Sequence, residues 1–188
     1  MHLLVTGAAG FIGSNFARYW LQSHPGDHVV AYDLLTYAGT RANVADLETD
    51  FAERFAFVQG DIGDQARVEV TMREHHIDVI VNFAAESHNS LAVMDPGAFF
   101  RTNVLGTQVL LEAARTAKIE RFHHVSTCEV YGDLALDSDE LFTETSPYRP
   151  RTPYNASKAG ADHAVRAYYE TFGVPATITS CSNNYGPY

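Results

Sequence analysis

The 188 residues are 46% apolar and 19% charged, which suits one well-cored domain and excludes a disordered chain. Thirteen basic against 23 acidic side chains leave a formal charge of −10, which argues against a nucleic-acid partner, because affinity for a phosphate backbone comes from basic charge. Cys128 and Cys181 stand far apart without CxxC spacing, so neither a disulfide framework nor a zinc site is indicated.

The chain opens with Met-His-Leu-Leu-Val-Thr-Gly, which lacks a basic leader, and no later apolar run approaches the ~20 residues of a membrane span. A cytoplasmic protein without a membrane partner is the expectation. Strand-like runs at 3–6, 28–32, 55–58, 79–83, 122–126 and 176–179 alternate with helical patterns near 12–23, 65–75, 96–117 and 154–172. This βα alternation predicts a doubly wound α/β fold (a Rossmann fold) with a parallel sheet in the order 3-2-1-4-5-6. The longest irregular stretch, 133–153, holds Asp137, Asp139, Glu140, Glu144 and three prolines. It reads either as a solvated loop or as a lid over the site.

Directly after the first strand comes Gly7-Ala8-Ala9-Gly10-Phe11-Ile12-Gly13, opening the first helix. In that setting Gly7 permits the tight turn, Gly10 lets a pyrophosphate approach the backbone, and Gly13 lets the helix pack on the sheet, while the helix N-terminus offers free N–H groups. Asp33 ends the second strand 20 residues after Gly13, where a carboxylate accepts ribose hydroxyls and repels a 2′-phosphate, favouring NAD over NADP. A helix or turn cap is the plainer role for Asp33.

Ser126 and Thr127 end the fifth strand, and Tyr154 and Lys158 stand four apart at the start of the last helix. That spacing puts phenol and ammonium on one face, so the cation is expected to lower the Tyr154 pKa from ~10 and make a base for alcohol oxidation. A surface helix pair is the alternative. The pairs His75-His76 and His123-His124 invite a metal, but neighbours on a strand point to opposite faces and helical neighbours lie about 100° apart. No metal is assigned.

These segments, with Asp61-Ile62, Ala84-Ala85-Glu86-Ser87-His88, Asn103 to Thr107, Ser126 to Gly132 and Cys181 to Pro187, resemble the nucleoside-diphosphate-glucose 4,6-dehydratases of the extended short-chain dehydrogenase type, chiefly the dTDP-glucose enzymes. The resemblance covers the whole chain and implies a nucleotide-sugar substrate. It places NAD against Gly7, Gly10, Phe11, Ile12, Gly13, Asp33, Leu34, Thr36, Asp61, Ile62, Ala84, Ala85, Ser87, Thr102, Ser126, Tyr154, Lys158 and Asn184. Substrate would meet Ser87, Thr127 and Asn183, although turn formation accounts for either asparagine as simply. In that family the chain continues into a substrate domain, so residues 1–188 are expected to be the NAD-binding domain, truncated before it. A homodimer is also implied, through a four-helix bundle of the helices near 96–117 and 154–172. Their apolar positions include Val104, Leu105, Leu111, Ala164, Val165 and Tyr168.

The mechanism implied by the resemblance begins with Tyr154 taking the O4 proton while hydride leaves C4 for NAD, with Thr127 holding O4. Glu129 then removes the C5 proton, its neighbour Cys128 protonates the departing C6 hydroxyl, and hydride returns to C6, giving a 4-keto-6-deoxy sugar. Glu129 separates this reading from the 4-epimerases, which need no C5 base; as an isolated residue it reads equally as a solvated carboxylate.

Cys128 departs from the family, whose acid is ordinarily Asp. A thiol with a pKa near ~8.5 is already protonated at pH 7, whereas Asp at ~3.9 must be raised about three pH units, roughly 4 kcal/mol. Cys128 also reads as a small buried hydrophobe. A UDP-N-acetylglucosamine 5,6-dehydratase type is similar and also pairs Cys with Glu, with a 5,6-alkene as product. After His88 the dTDP-glucose enzymes commonly place an Asp, where this chain has Asn89-Ser90-Leu91-Ala92. A non-catalytic NAD-binding or assembly module is the competing reading, against which stand Thr127, Glu129, Tyr154 and Lys158.

Overall fold

A computed structural model describes residues 1–135 and 137–187. Six strands, β1 (His2–Thr6), β2 (His28–Asp33), β3 (Phe55–Gln59), β4 (Val79–Asn82), β5 (Arg121–Thr127) and β6 (Ala176–Cys181), form one sheet in the order β3-β2-β1-β4-β5-β6. Every pairing is parallel; Leu4 on β1, for example, sits between Val30 and Ile80. The expected order and doubly wound architecture are therefore what the chain adopts.

Seven helices among the described residues cover the sheet: α1 (Phe11–Ser23), α2 (Ala45–Asp50), α3 (Gln65–Glu74), α4 (Asn89–Met94), α5 (Pro96–Phe99), α6 (Thr107–Ala117) and α7 (Pro153–Phe172). Alternate strand residues serve opposite faces. Leu4, Val30, Ile80 and Phe122 pack with Val68, Met72, Leu110, Leu111 and Val165 of α3, α6 and α7. Leu3, Val5, Val29, Ala31 and Val81 pack with Ala17 and Leu21 of α1 and with Leu47 of α2. Coverage on both faces is why β1, β2 and β4 read as nearly unbroken apolar runs.

Several elements differ from the periodicity. The single helix expected over 96–117 is α5, a π-helical stretch Phe100–Gly106 and then α6, and α4 precedes it. Asp95 makes the break, ending α4 and accepting from Ala98 N at 3.2 Å, with Pro96 in the first turn of α5. Residues 41–44 and 128–131 form short 3-10 turns, the latter placing Cys128 and Glu129 directly after β5. The long helix α7 is bounded by Thr152, whose hydroxyl accepts from Asn155 N, and by Gly173 in the left-handed region at φ +69°.

The apolar stripe assigned to an interface also needs correction. Leu111 and Val165 lie in the chain's own core, and the Tyr168 hydroxyl is bound by Gln108 and donates to Glu112. Phe100, Leu105, Tyr169 and Phe172 are the large apolar side chains these helices expose. The stretch 133–153 contains no regular element among its described residues before α7; Leu136 lies outside them. Phe142 and Tyr148 from this stretch pack on the Tyr131 ring at 5.3 and 5.2 Å, and Arg149 N donates to Val130 O, so it is anchored rather than freely solvated. No helix among the described residues is long and apolar enough to cross a membrane.

Candidate active site

A cavity of about 450 Å³ opens at the C-terminal edge of the sheet, between the turns that follow β1, β2, β4 and β5. This is the topological switch point, where the chain runs from β1 outward to β3 and then returns to β4 on the other side. Every candidate residue except Cys128 lines it.

The glycine turn forms the cavity's inner wall. Gly7 holds φ +64°, and a Cβ there would stand 2.7 Å from Ala84 N. A Cβ on Gly13 would run into the Gly7 carbonyl oxygen and meet Ala8 Cα at 2.9 Å, so the start of α1 lies directly on the turn. Gly10 differs: its Cβ would meet only Gly7 O at 3.3 Å and Ala38 O at 3.8 Å. It caps α1 without a side-chain hydrogen bond, leaving the first N–H groups of a 13-residue helix directed at the cavity.

Asp33 takes the capping role weighed for it. Its Oδ2 accepts from Ala9 N at 2.9 Å and its Oδ1 from Leu35 N at 2.8 Å, fastening the glycine turn to the end of β2. The carboxylate also lines the cavity, and each oxygen retains a lone pair for a further donor. Gly39 stands close by, where a Cβ would come within 2.8 Å of Asp33 Oδ1.

Thr127, Glu129, Tyr154 and Lys158 meet at the cavity's other end. Thr127 is the last residue of β5, and its Oγ1 accepts from Glu129 N at 3.2 Å, turning the chain so that Glu129 follows it into the site. Lys158 is 3% exposed, and its Nζ donates to Val125 O at 2.7 Å. Burial brings its pKa down to about 8, against the pull of Asp162 and Cys181. Tyr154 corrects the expectation for the pair. Burial and the Glu129 carboxylate push the phenol up to about 12, with the Thr127 hydroxyl bond opposing them. The desolvation of Tyr154 thus outweighs the help expected from the lysine.

Cys128 stands apart. It lines a second cavity with Tyr131, Phe142 and Tyr148, sharing only Cys181 and Ser182 with the first, and its side chain packs against the Val130–Tyr131–Ala159 cluster. Burial and the neighbouring Glu129 raise its pKa, so the thiol is protonated at neutral pH.

Several parts of the site had no signal in residue spacing. Asn103, in the π-helical stretch, accepts from Glu86 N at 2.8 Å and donates to Glu86 O and Ser157 Oγ, holding the turn after β4 against α7. Tyr37 reaches across the cavity mouth to donate to Glu86 at 2.8 Å. Gly60 follows β3 because any side chain there would collide with the Tyr32 ring. His124 and Asp162, 1% and 0% exposed, lie behind Lys158. No group of three or more metal-binding side chains occurs among the described residues.

The family model described as GDP-mannose 4,6 dehydratase matches residues 4–188. The dTDP-glucose 4,6-dehydratase of Mycobacterium tuberculosis (strain H37Rv) is 52% identical over the whole chain, which spans 55% of that relative's length. Among solved structures, the dTDP-glucose 4,6-dehydratase DesIV from Streptomyces venezuelae, with NAD and TYD bound, is 48% identical with a TM-score of 0.93. That match covers 100% of this chain and 57% of DesIV. The UDP-glucose 4-epimerase of Brucella ovis, in complex with NAD, is 33% identical with a TM-score of 0.81, over 94% of this chain and 50% of the epimerase.

Proposed function

The chain belongs to the GDP-mannose 4,6-dehydratase family, and from that premise we propose that it is the NAD-binding domain of a nucleotide-sugar 4,6-dehydratase whose substrate is dTDP-glucose or its UDP counterpart. The observation that carries the reading is the meeting of Thr127, Glu129, Tyr154 and Lys158 in the same cavity as the glycine turn. An epimerase needs the Tyr/Lys pair but has no use for a carboxylate placed to act on C5.

The residues fit NAD. A Cβ would fill the cradle at Gly7, Gly10 leaves room above the turn, and the start of α1 supplies N–H donors to a pyrophosphate. Asp33 supplies the acceptor for adenosine ribose hydroxyls and repels the 2′-phosphate of NADP. When bound, NAD supplies a two-electron acceptor and donor for the sugar carbons. The chain's own groups move protons: Tyr154 takes one from O4, Thr127 holds that oxygen, and Lys158 favours the phenolate. Glu129 takes the C5 proton. Cys128, kept protonated by burial and by Glu129, delivers a proton to the leaving C6 hydroxyl. Its placement against the second cavity requires the C6 end of the sugar to lie between the two cavities, at Cys181 and Ser182, the residues they share.

The test is product identity. The full-length protein, with NAD and either dTDP-glucose or UDP-N-acetylglucosamine, is expected to yield a 4-keto-6-deoxy sugar from the glucose nucleotide, read by NMR. Conversion of UDP-N-acetylglucosamine to a 5,6-alkene would replace this reading with the related 5,6-dehydratase chemistry. Turnover of neither, with NAD bound, would favour a binding module.

A further inference from the structure

Tyr154 and Lys158 are the first two members of a longer stripe on α7. Asp162 follows four residues after Lys158 on the same face. It is fully buried: Oδ2 accepts from Ser126 Oγ at 2.8 Å and from Tyr148 Oη at 2.9 Å. Oδ1 has no hydrogen bond within range and lies 3.5 Å from His124 Nε2. The same imidazole nitrogen is 3.4 Å from Lys158 Nζ.

The hydrogens on this cluster can be placed in sequence. Ala84 N donates to Thr6 Oγ1, so the Thr6 hydroxyl is free to donate to Asn82 Oδ1, at 2.6 Å. Asn82 Oδ1 is therefore the acceptor end of that amide, and Nδ2 donates to Thr107 Oγ1 at 3.2 Å and to His124 Nδ1 at 3.1 Å. With Nδ1 accepting, a neutral His124 carries its hydrogen on Nε2, facing Asp162 Oδ1. Burial and the charge of Lys158 hold His124 well below the usual imidazole range, so neutral is its state. Burial raises the Asp162 pKa, and the bonds from Ser126 and Tyr148 and the charge of Lys158 oppose it; each group facing Asp162 presents a hydrogen, the arrangement that suits a carboxylate.

We propose that Asp162, oriented by His124 and Ser126, is the positioning residue that keeps Lys158 charged beneath Tyr154. The buried face of α7 then carries one cation and one anion, with the oriented neutral ring of His124 set against them from β5. The remaining titratable groups around them are His123 on β5, Cys181 on β6, Tyr148, Arg166 further along α7, and Tyr154 with Glu129 at the cavity. Of these only Arg166 is a fixed cation, and it reaches Asp162 through the Tyr148 hydroxyl at 3.3 Å. Among the described contacts Lys158 Nζ donates to Val125 O and bonds no carboxylate, while Asp162 Oδ1 meets the imidazole nitrogen beside it, so Asp162 supplies counter-charge to the lysine across His124 rather than by direct contact.

The role in turnover rests on the dehydratase reading; the ionisation of Lys158 does not. The reactive form of the pair, phenolate with ammonium, differs from phenol with amine by one transferred proton, so lowering the lysine pKa depletes it in direct proportion. In the ligand-free protein, a titration of the Lys158 ¹³Cε resonance is expected to show a midpoint near about 8. In Asp162→Asn that midpoint falls by roughly 1–3 pH units, the usual effect of an opposite charge at close range. Tyr148→Phe, which removes a hydrogen bond and keeps the carboxylate, and Asp162→Glu leave it within about 0.5 pH unit of the parent, well short of that loss. In the full-length enzyme Asp162→Asn moves the acid limb of the rate profile to lower pH and lowers its plateau by roughly 10- to 1000-fold, following the same ratio. A Lys158 midpoint unmoved in Asp162→Asn, or an Asp162 ¹³Cγ resonance of the parent protein showing carboxylic acid at pH 7, overturns the proposal. The second measurement needs no variant to fold. A shifted midpoint without dehydratase turnover in the parent would overturn only the functional reading.

Discussion

Replacing three glycines one at a time by alanine separates what the turn does for the fold from what it does for the cofactor. A Cβ on Gly13 meets backbone atoms of Gly7 and Ala8, so α1 must move off the turn. Overpacking of this kind costs about 1–3 kcal/mol, and collision with backbone rather than a flexible side chain puts it at the upper end. The better helix propensity of alanine returns up to ~1 kcal/mol, leaving a net loss of roughly 2 kcal/mol. At 2–4 °C per kcal/mol for a chain of this size, Gly13→Ala should melt about 4–8 °C below the parent. Gly10→Ala adds a Cβ with one tight neighbour, Gly7 O at 3.3 Å, and one ordinary neighbour at 3.8 Å, on a backbone at φ −81°, so its cost is about 1 kcal/mol, below that of Gly13→Ala. Its methyl group stands where the pyrophosphate must approach, and NAD affinity should fall tenfold or more, about 1.4 kcal/mol. Gly26→Ala, with nothing within 4 Å, is the control. Thermal melts and titration calorimetry measure both quantities. The reasoning fails if Gly13→Ala melts with Gly26→Ala, or if Gly10→Ala binds NAD as the parent does.

Asp33→Asn keeps the side chain's shape but removes the charge and one of the two acceptors that hold Ala9 N and Leu35 N; calorimetry should show a smaller preference for NAD over NADP, and an unchanged ratio would remove the ribose role. In the full-length enzyme, Cys128→Ala should still reduce bound NAD on adding substrate but lose water roughly 10²–10⁴-fold more slowly, with partial recovery in Cys128→Asp. Dehydration at the parent rate would leave the thiol as packing against Val130 and Tyr131. We also propose a homodimer through the face that exposes Leu105, Tyr169 and Phe172. Leu105→Arg should then lower the mass measured by light scattering, and an unchanged mass would place any interface elsewhere.

How much of this was legible in the sequence depended on whether the signal was local. The strands β1, β2 and β4 and the glycine turn were, because strands buried on both faces are nearly unbroken apolar runs and because Gly13 must lie against Gly7. Residues 96–117 were not: their apolar spacing does not reveal the π-helical stretch that turns Asn103 toward Glu86. The Tyr154–Lys158 spacing was correct as geometry and misleading as electrostatics, since burial of the phenol depends on residues distant in sequence. His124 was read as one half of a metal-like pair. Strand alternation correctly separates it from His123, which bonds Thr177 and Thr179, but nothing local shows that it faces Asp162, 38 residues on. Cys128 was placed by the resemblance at the reaction centre, whereas the turn after β5 sets it on the neighbouring cavity.

The most direct test of the account follows the hydrogen that leaves C4. With dTDP-glucose deuterated at C4, a dehydratase that uses Tyr154 at O4 and Glu129 at C5 should deliver the deuterium to C6 of the product, visible by deuterium NMR of product from the full-length protein. Deuterium restored to C4, whether in an epimer or in a 5,6-alkene, would contradict it.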